Sequence, residues 1–154
     1  MSPTERIDHE RVEQLIHEEV NQVRVERGLH SLSHDEELAF IARSHSRRMA
    51  GRDFVGHETP SGETIRDRYE RFGYDSPRGG GENIARSYYG IEYRREDGSV
   101  ARHDQLADLA ESVVDGWLNS PGHRENLLAG RWRTEGIGVW LNQGSTVFIT
   151  QNFA

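Results

Sequence analysis

Gly136-Ile137-Gly138-Val139-Trp140-Leu141 and Thr146-Val147-Phe148-Ile149-Thr150 are two strand-like runs, and Asn142-Gln143-Gly144-Ser145 between them reads as a hairpin turn. They close a chain of 154 residues whose earlier part carries helical periodicity. Helices first and a terminal hairpin point to an α+β fold, an antiparallel sheet covered by helices.

Working back from the hairpin, a helix is predicted over about Asp104 to Leu118, with Leu106, Leu109, Ala110, Val113, Val114 and Trp117 facing inward. The first helix runs from about Asp8 to Arg27. Val12, Leu15, Ile16, Val20 and Val23 form its stripe, and Gly28 stops it. A second helix starts near Ser33, where Ser33-His34-Asp35-Glu36 has the spacing of a capping box, and ends at Gly51. A third, shorter one opens after Gly62 with Glu63 in its first turn; it buries Ile65, Tyr69 and Phe72 and closes at Gly73. Ser76 to Gly81 is a Pro/Gly-rich loop, Ile84 to Tyr89 fits a strand, and Tyr93 to Arg102 reads as a polar surface excursion. No repeat, low-complexity tract or long linker divides the chain, so residues 1–154 are expected to form a single domain.

Composition excludes several functions. The net charge of −7 argues against nonspecific nucleic-acid binding, which depends on neutralising phosphates. The 19 basic residues are all Arg, and there is no Cys, so disulfides, thiolate nucleophiles and Cys-based zinc sites are ruled out. No run approaches the ~20 apolar residues that span a bilayer. Met1-Ser2-Pro3-Thr4-Glu5-Arg6 lacks the apolar core of a signal peptide.

Three segments combine titratable groups with backbone-shaping residues: Val55-Gly56-His57-Glu58-Thr59-Pro60-Ser61-Gly62, Gly79-Gly80-Gly81-Glu82-Asn83-Ile84-Ala85, and Trp117-Leu118-Asn119-Ser120-Pro121-Gly122-His123-Arg124-Glu125-Asn126-Leu127-Leu128. In these segments, and in Gly136-Ile137-Gly138-Val139 and Thr150-Gln151-Asn152-Phe153, the sequence resembles the CAP superfamily of cysteine-rich secretory, antigen five and pathogenesis-related group one proteins, in its cysteine-free prokaryotic branch. The resemblance runs from about the first helix to Phe153. It implies a three-layer α-β-α sandwich with a central, mainly antiparallel sheet, and a location outside the cell or at its surface. This chain shows no leader, which leaves the cytoplasm open. The resemblance also implies a cleft that gathers His57, Glu82 and His123, with Asn119 or Ser120 where other members carry a second Glu.

Two neutral imidazoles and a carboxylate are a sufficient ligand set for zinc or another divalent cation, with His57 and His123 as ligands and water in the fourth place. Three readings follow. The cleft binds a small molecule, peptide or lipid; or it is a metal-dependent hydrolase in which Glu82 ligates the ion or serves as general base; or the three residues form a hydrogen-bonded structural network. Other residues fit lesser roles. Glu58 and Glu63 are near enough in sequence to His57 to replace the missing carboxylate, although Glu63 fits a helix start. Glu125 faces away from His123. His45 reads as a satisfied core histidine and His9, His17, His30, His34 and His103 as surface residues. Ser61 and Ser120 lack the strained Gly-x-Ser-x-Gly turn of a nucleophile. Trp117, Trp132 and Trp140 read as core or rim, and Arg124 as a plain salt-bridge partner.

Overall fold

A computed structural model describes residues 4–142 and 144–154. Met1-Ser2-Pro3, the start of the segment that lacks an apolar core, and Gln143, in the expected hairpin turn, lie outside the described residues. The elements in order are α1 (His9–Glu26), β1 (Ser33–His34), α2 (Glu36–Arg52), α3 (Ile65–Arg71), β2 (Gly81–Tyr88), β3 (Tyr93–Arg94), β4 (Val100–Ala101), α4 (Leu106–Leu118), α5 (Pro121–Leu127), β5 (Thr134–Leu141) and β6 (Thr146–Phe153). The main sheet has the order β1-β5-β6-β2; β5–β6 and β6–β2 are antiparallel and β1–β5 is parallel. Helix α2 covers one face, and α1 with α4 the other, which gives the α-β-α sandwich.

The two faces follow from strand alternation. Ile137 and Val139 of β5, with Val147, Ile149 and Phe153 of β6, join Val12, Ile16, Val20, Leu109, Val113 and Trp117 in the larger core. On the opposite face β5 presents Gly136 and Gly138. A Cβ on either would collide with the α2 backbone, at Leu38–Ala39 and Ala42–Arg43. The two glycines therefore set how closely α2 seats on the sheet. Ser46 of α2 seals this contact by donating to the Gly138 carbonyl at 2.8 Å, beside Thr150 Oγ1 at 2.8 Å.

Several boundaries differ from expectation. The N-cap of α2 is Asp35, whose carboxylate accepts from Leu38 N; Ser33 and His34 instead pair with Thr134 and Glu135. The cap of α3 is Thr64, in a reciprocal capping box with Asp67, and Glu63 lies outside the helix. The Pro121–Leu127 stretch forms a separate short helix, with Pro121 at its start where a missing N–H costs nothing. The excursion after Tyr88 contains the small β3–β4 ladder. Trp117 and Trp132 are core, and Trp140 is rim, under the Arg47 guanidinium.

Candidate functional site

Gly81 brings Glu82 to its place. A Cβ there would lie 2.6 Å from the Trp132 ring, so only glycine lets β2 begin in this gap. Glu82 then turns its side chain to the α2 side of the sheet, where it is fully buried. A buried carboxylate needs full compensation, and Glu82 has it. Oε1 accepts from His57 Nδ1 at 2.9 Å and Arg68 Nη2 at 3.0 Å; Oε2 accepts from Arg68 Nη1 at 2.6 Å and Asn152 Nδ2 at 2.8 Å. Burial opposes ionisation, but the hydrogen bonds from His57 and Arg68 and the Arg68 charge outweigh it and hold the carboxyl below its ordinary value. Glu82 is thus an ionised acceptor with its lone pairs in use.

Arg68 is the partner that sequence reading missed. It is 1% exposed, and its Nη2 also donates to the His57 carbonyl at 2.8 Å, so one guanidinium fixes both the carboxylate and the loop that carries the imidazole. The signal was present: Arg68 occupies the i+3 place in the stripe Ile65, Tyr69, Phe72, so it had to point inward. Asn152 was likewise unmarked as a site residue.

Because ionised Glu82 only accepts, the hydrogen between it and His57 sits on Nδ1, which leaves Nε2 as the ring nitrogen not engaged by Glu82. The His57 side chain is 47% exposed. His123, in the first turn of α5, reaches Ser120 Oγ from its Nδ1 at 3.0 Å. Its imidazole is held below its ordinary value, first by burial and then by the charge of His57. The backbone at His123 is tied to β2, since Asn83 Nδ2 donates to the His123 carbonyl at 3.0 Å and Asn126 Nδ2 to the Glu82 carbonyl at 3.1 Å. Asn119 caps the C-terminus of α4 and is exposed.

The substitutes for the missing carboxylate do not serve. Glu63 is taken by Arg48 and Arg71, at 2.7 and 2.8 Å, and Glu58 is exposed. His45 is buried and donates from Nε2 to the Gly56 carbonyl at 2.8 Å, but its Nδ1 has no protein partner among the described residues. It lies 3.9 Å from Glu82 Oε1; burial dominates and keeps it neutral, with its pKa lowered. Three histidines expected at the surface are partnered. His17 meets the buried Glu135 at 2.6 Å, His30 the Trp132 carbonyl at 2.8 Å, and the buried His103 the Tyr93 hydroxyl at 2.6 Å. Each pairs with a residue distant in the fold's sequence order or within an unpredicted ladder, which spacing alone does not display.

Glu82 is not free to join a metal set, because both its oxygens are committed to His57, Arg68 and Asn152. Among the described residues no group of three His, Cys, Asp or Glu side chains is arranged to hold a metal ion. Ser120 and His123 are a local i,i+3 pair, and among the described residues no carboxylate is hydrogen-bonded to the imidazole, so they do not make a nucleophile triad.

Comparison with known proteins agrees with the fold. Membrane protein YlbC of Bacillus subtilis is 33% identical over 133 residues, 86% of this chain and 31% of that protein. Protein YkwD of the same organism is 30% identical over 137 residues, 85% of this chain and 46% of its own length. The chain therefore spans less than half of either relative. An extracellular protein with an SCP domain from Bacillus anthracis superposes with a TM-score of 0.70 at 32% identity, over 94% of this chain and 40% of that one. An outer surface protein of Borrelia burgdorferi shares the fold with a TM-score of 0.75 at 20% identity, over 97% and 96% of the two chains. No described helix is long and apolar enough to cross a membrane. The sequence model of the cysteine-rich secretory protein family, CAP, matches residues 17–153, and the chain belongs to that family.

Proposed function

We propose that this CAP domain is a binding module whose cleft presents the imidazoles of His57 and His123, with Ser120 and Asn119 at its rim, to a polar small molecule or peptide. The observation that carries this reading is the full occupancy of the Glu82 carboxylate by His57, Arg68 and Asn152. A general base needs a free lone pair within reach of the proton it takes, and a metal ligand needs the same. Glu82 has neither, so its role is to fix His57 in one tautomer with Nε2 outward. Polar residues at the rim favour a ligand recognised by hydrogen bonds over a lipid chain, which calls for an apolar lining. An extracellular or surface location is supported by the B. anthracis and B. burgdorferi neighbours.

The test is a ligand screen by two-dimensional NMR, using short peptides, polar metabolites and lipid vesicles. The expected hits shift His57, Ser120 and His123 signals, and a His57→Ala/His123→Ala variant that melts like wild type loses them. Hits confined to other surfaces overturn the reading. So does zinc-dependent ester or peptide hydrolysis that disappears in a folded Glu82→Gln variant.

A further inference from the structure

We propose a second polar site, remote from the cleft: the imidazoles of His17 and His34 form a two-histidine seat for a divalent transition-metal ion such as zinc, with water completing the shell. The fold places the two side by side. His34 in β1 pairs in register with Glu135 of β5, so both point to the same face of the sheet. His17 descends on that face from α1 and meets Glu135 Oε2 at 2.6 Å. The His17 and His34 ring centroids are 5.6 Å apart, at 67°.

Three features suit the pair to a cation. First, each ring has one nitrogen held by a carboxylate: His17 Nδ1 by Glu135 at 2.6 Å, and His34 Nε2 by Glu36 at 3.2 Å. That arrangement orients metal-ligating histidines and raises their basicity. It leaves His17 Nε2 and His34 Nδ1 for the ion. The other contact of His17 Nε2, with Asn21 Nδ2 at 3.5 Å, is at the limit of a hydrogen bond. Second, the spacing fits. With metal–nitrogen bonds of about 2.0–2.1 Å at tetrahedral angles, two imidazoles on one zinc ion place their ring centres roughly 5 Å apart. Third, the seat is open and negatively charged: the His17 and His34 side chains are 20% and 43% exposed, with Glu36 at 93% beside them. Imidazole suits zinc, copper and nickel, whereas magnesium and calcium prefer all-oxygen shells.

The buried side of the seat is rigid. Glu135 is fully buried, and its second oxygen accepts from Gln151 Nε2 at 2.8 Å. The Asn21 amide is fixed by both backbone groups of Leu32, at 2.7 and 2.9 Å.

The experiment is calorimetric titration of chelator-treated protein with Zn2+ near pH 7.5, with imidazole signals followed by NMR. Wild type is expected to bind one ion, with shifts at His17 and His34. His34→Ala, which removes an exposed side chain, should weaken binding at least tenfold. His57→Ala/His123→Ala should bind within twofold of wild type. Because His17→Ala also uncovers Glu135, His17→Gln serves as the second variant, and it too should weaken binding at least tenfold while melting close to wild type. The proposal is overturned if wild type takes up no zinc by about 1 mM, if His34→Ala binds like wild type, or if zinc shifts His57 and His123 instead.

Discussion

Replacing Arg68 by Met removes the guanidinium that pairs with the buried Glu82 carboxylate. Two of the four hydrogen bonds to Glu82, at 2.6 and 3.0 Å, disappear, as does the 2.8 Å bond to the His57 carbonyl. What remains is a buried carboxylate with His57 and Asn152 as donors. Removing one partner of a buried ion pair costs about 3–5 kcal/mol, because the other charge is left uncompensated. For a chain of 154 residues that is a fall in Tm of roughly 9–15 °C. The compensating experiment is Arg68→Met with Glu82→Leu. Replacing both charges by apolar groups of similar size is commonly neutral or stabilising, so the double variant should melt several degrees above Arg68→Met alone. Differential scanning calorimetry at pH 7 reads all three proteins. An Arg68→Met variant within 2–3 °C of wild type (about 1 kcal/mol), or a double variant no better than the single, would refute the assignment of Arg68 as the counter-ion that makes Glu82 bearable.

Acid should weaken the same network. The folded Glu82 carboxyl lies below its ordinary value of 4.5, so its contribution is present above pH 4.5 and is lost as pH falls from there through the folded value; Tm measured between pH 3 and 6 should fall more steeply for wild type than for the Arg68→Met/Glu82→Leu pair. His45 acts earlier on the scale: it stays neutral in the fold with its pKa below 6.5, so the unfolded chain takes up that proton first and stability declines as pH drops below 6.5. Its C2–H resonance should show a midpoint below 6.5; a midpoint above it contradicts the burial argument. Gly138→Ala drives a methyl into the Ala42–Arg43 backbone of α2, and should cost 1–3 kcal/mol or more by overpacking, whereas Gly116→Ala, with open space around it, should be neutral or stabilising by thermal melt.

Periodicity carried most of the fold because it reports burial directly: the stripes of α1 and α4 and the terminal hairpin all stand in the larger core. It failed where pairing is set by distant chain. Strand β1 is two exposed residues, and it exists because Ser33 and His34 find Thr134 and Glu135, about a hundred residues on. The same remoteness hid the His17–Glu135 contact. The motif segments pointed to His57, Glu82 and His123, but the chemistry of Glu82 depends on Arg68 and Asn152, which lie in no such segment as reactive groups. Arg68 and Arg24 both occupy buried helix stripes, and a cation in an apolar stripe was the legible sign of buried polar work. Arg24 spends its guanidinium on the Leu127 and Ala129 carbonyls at the end of α5, at 3.0 and 2.9 Å.

The central claim is that His57 and His123 face one cleft, with Glu82 acting as the fixed counter-ion beneath. The most direct measurement is the NMR titration of the His123 imidazole in wild type and in His57→Ala. In wild type its midpoint should lie below 6.5, lowered by burial and by the His57 charge. In His57→Ala the burial remains and the charge is gone, so the midpoint should move upward. A His123 midpoint that is the same in both proteins would contradict a shared cleft.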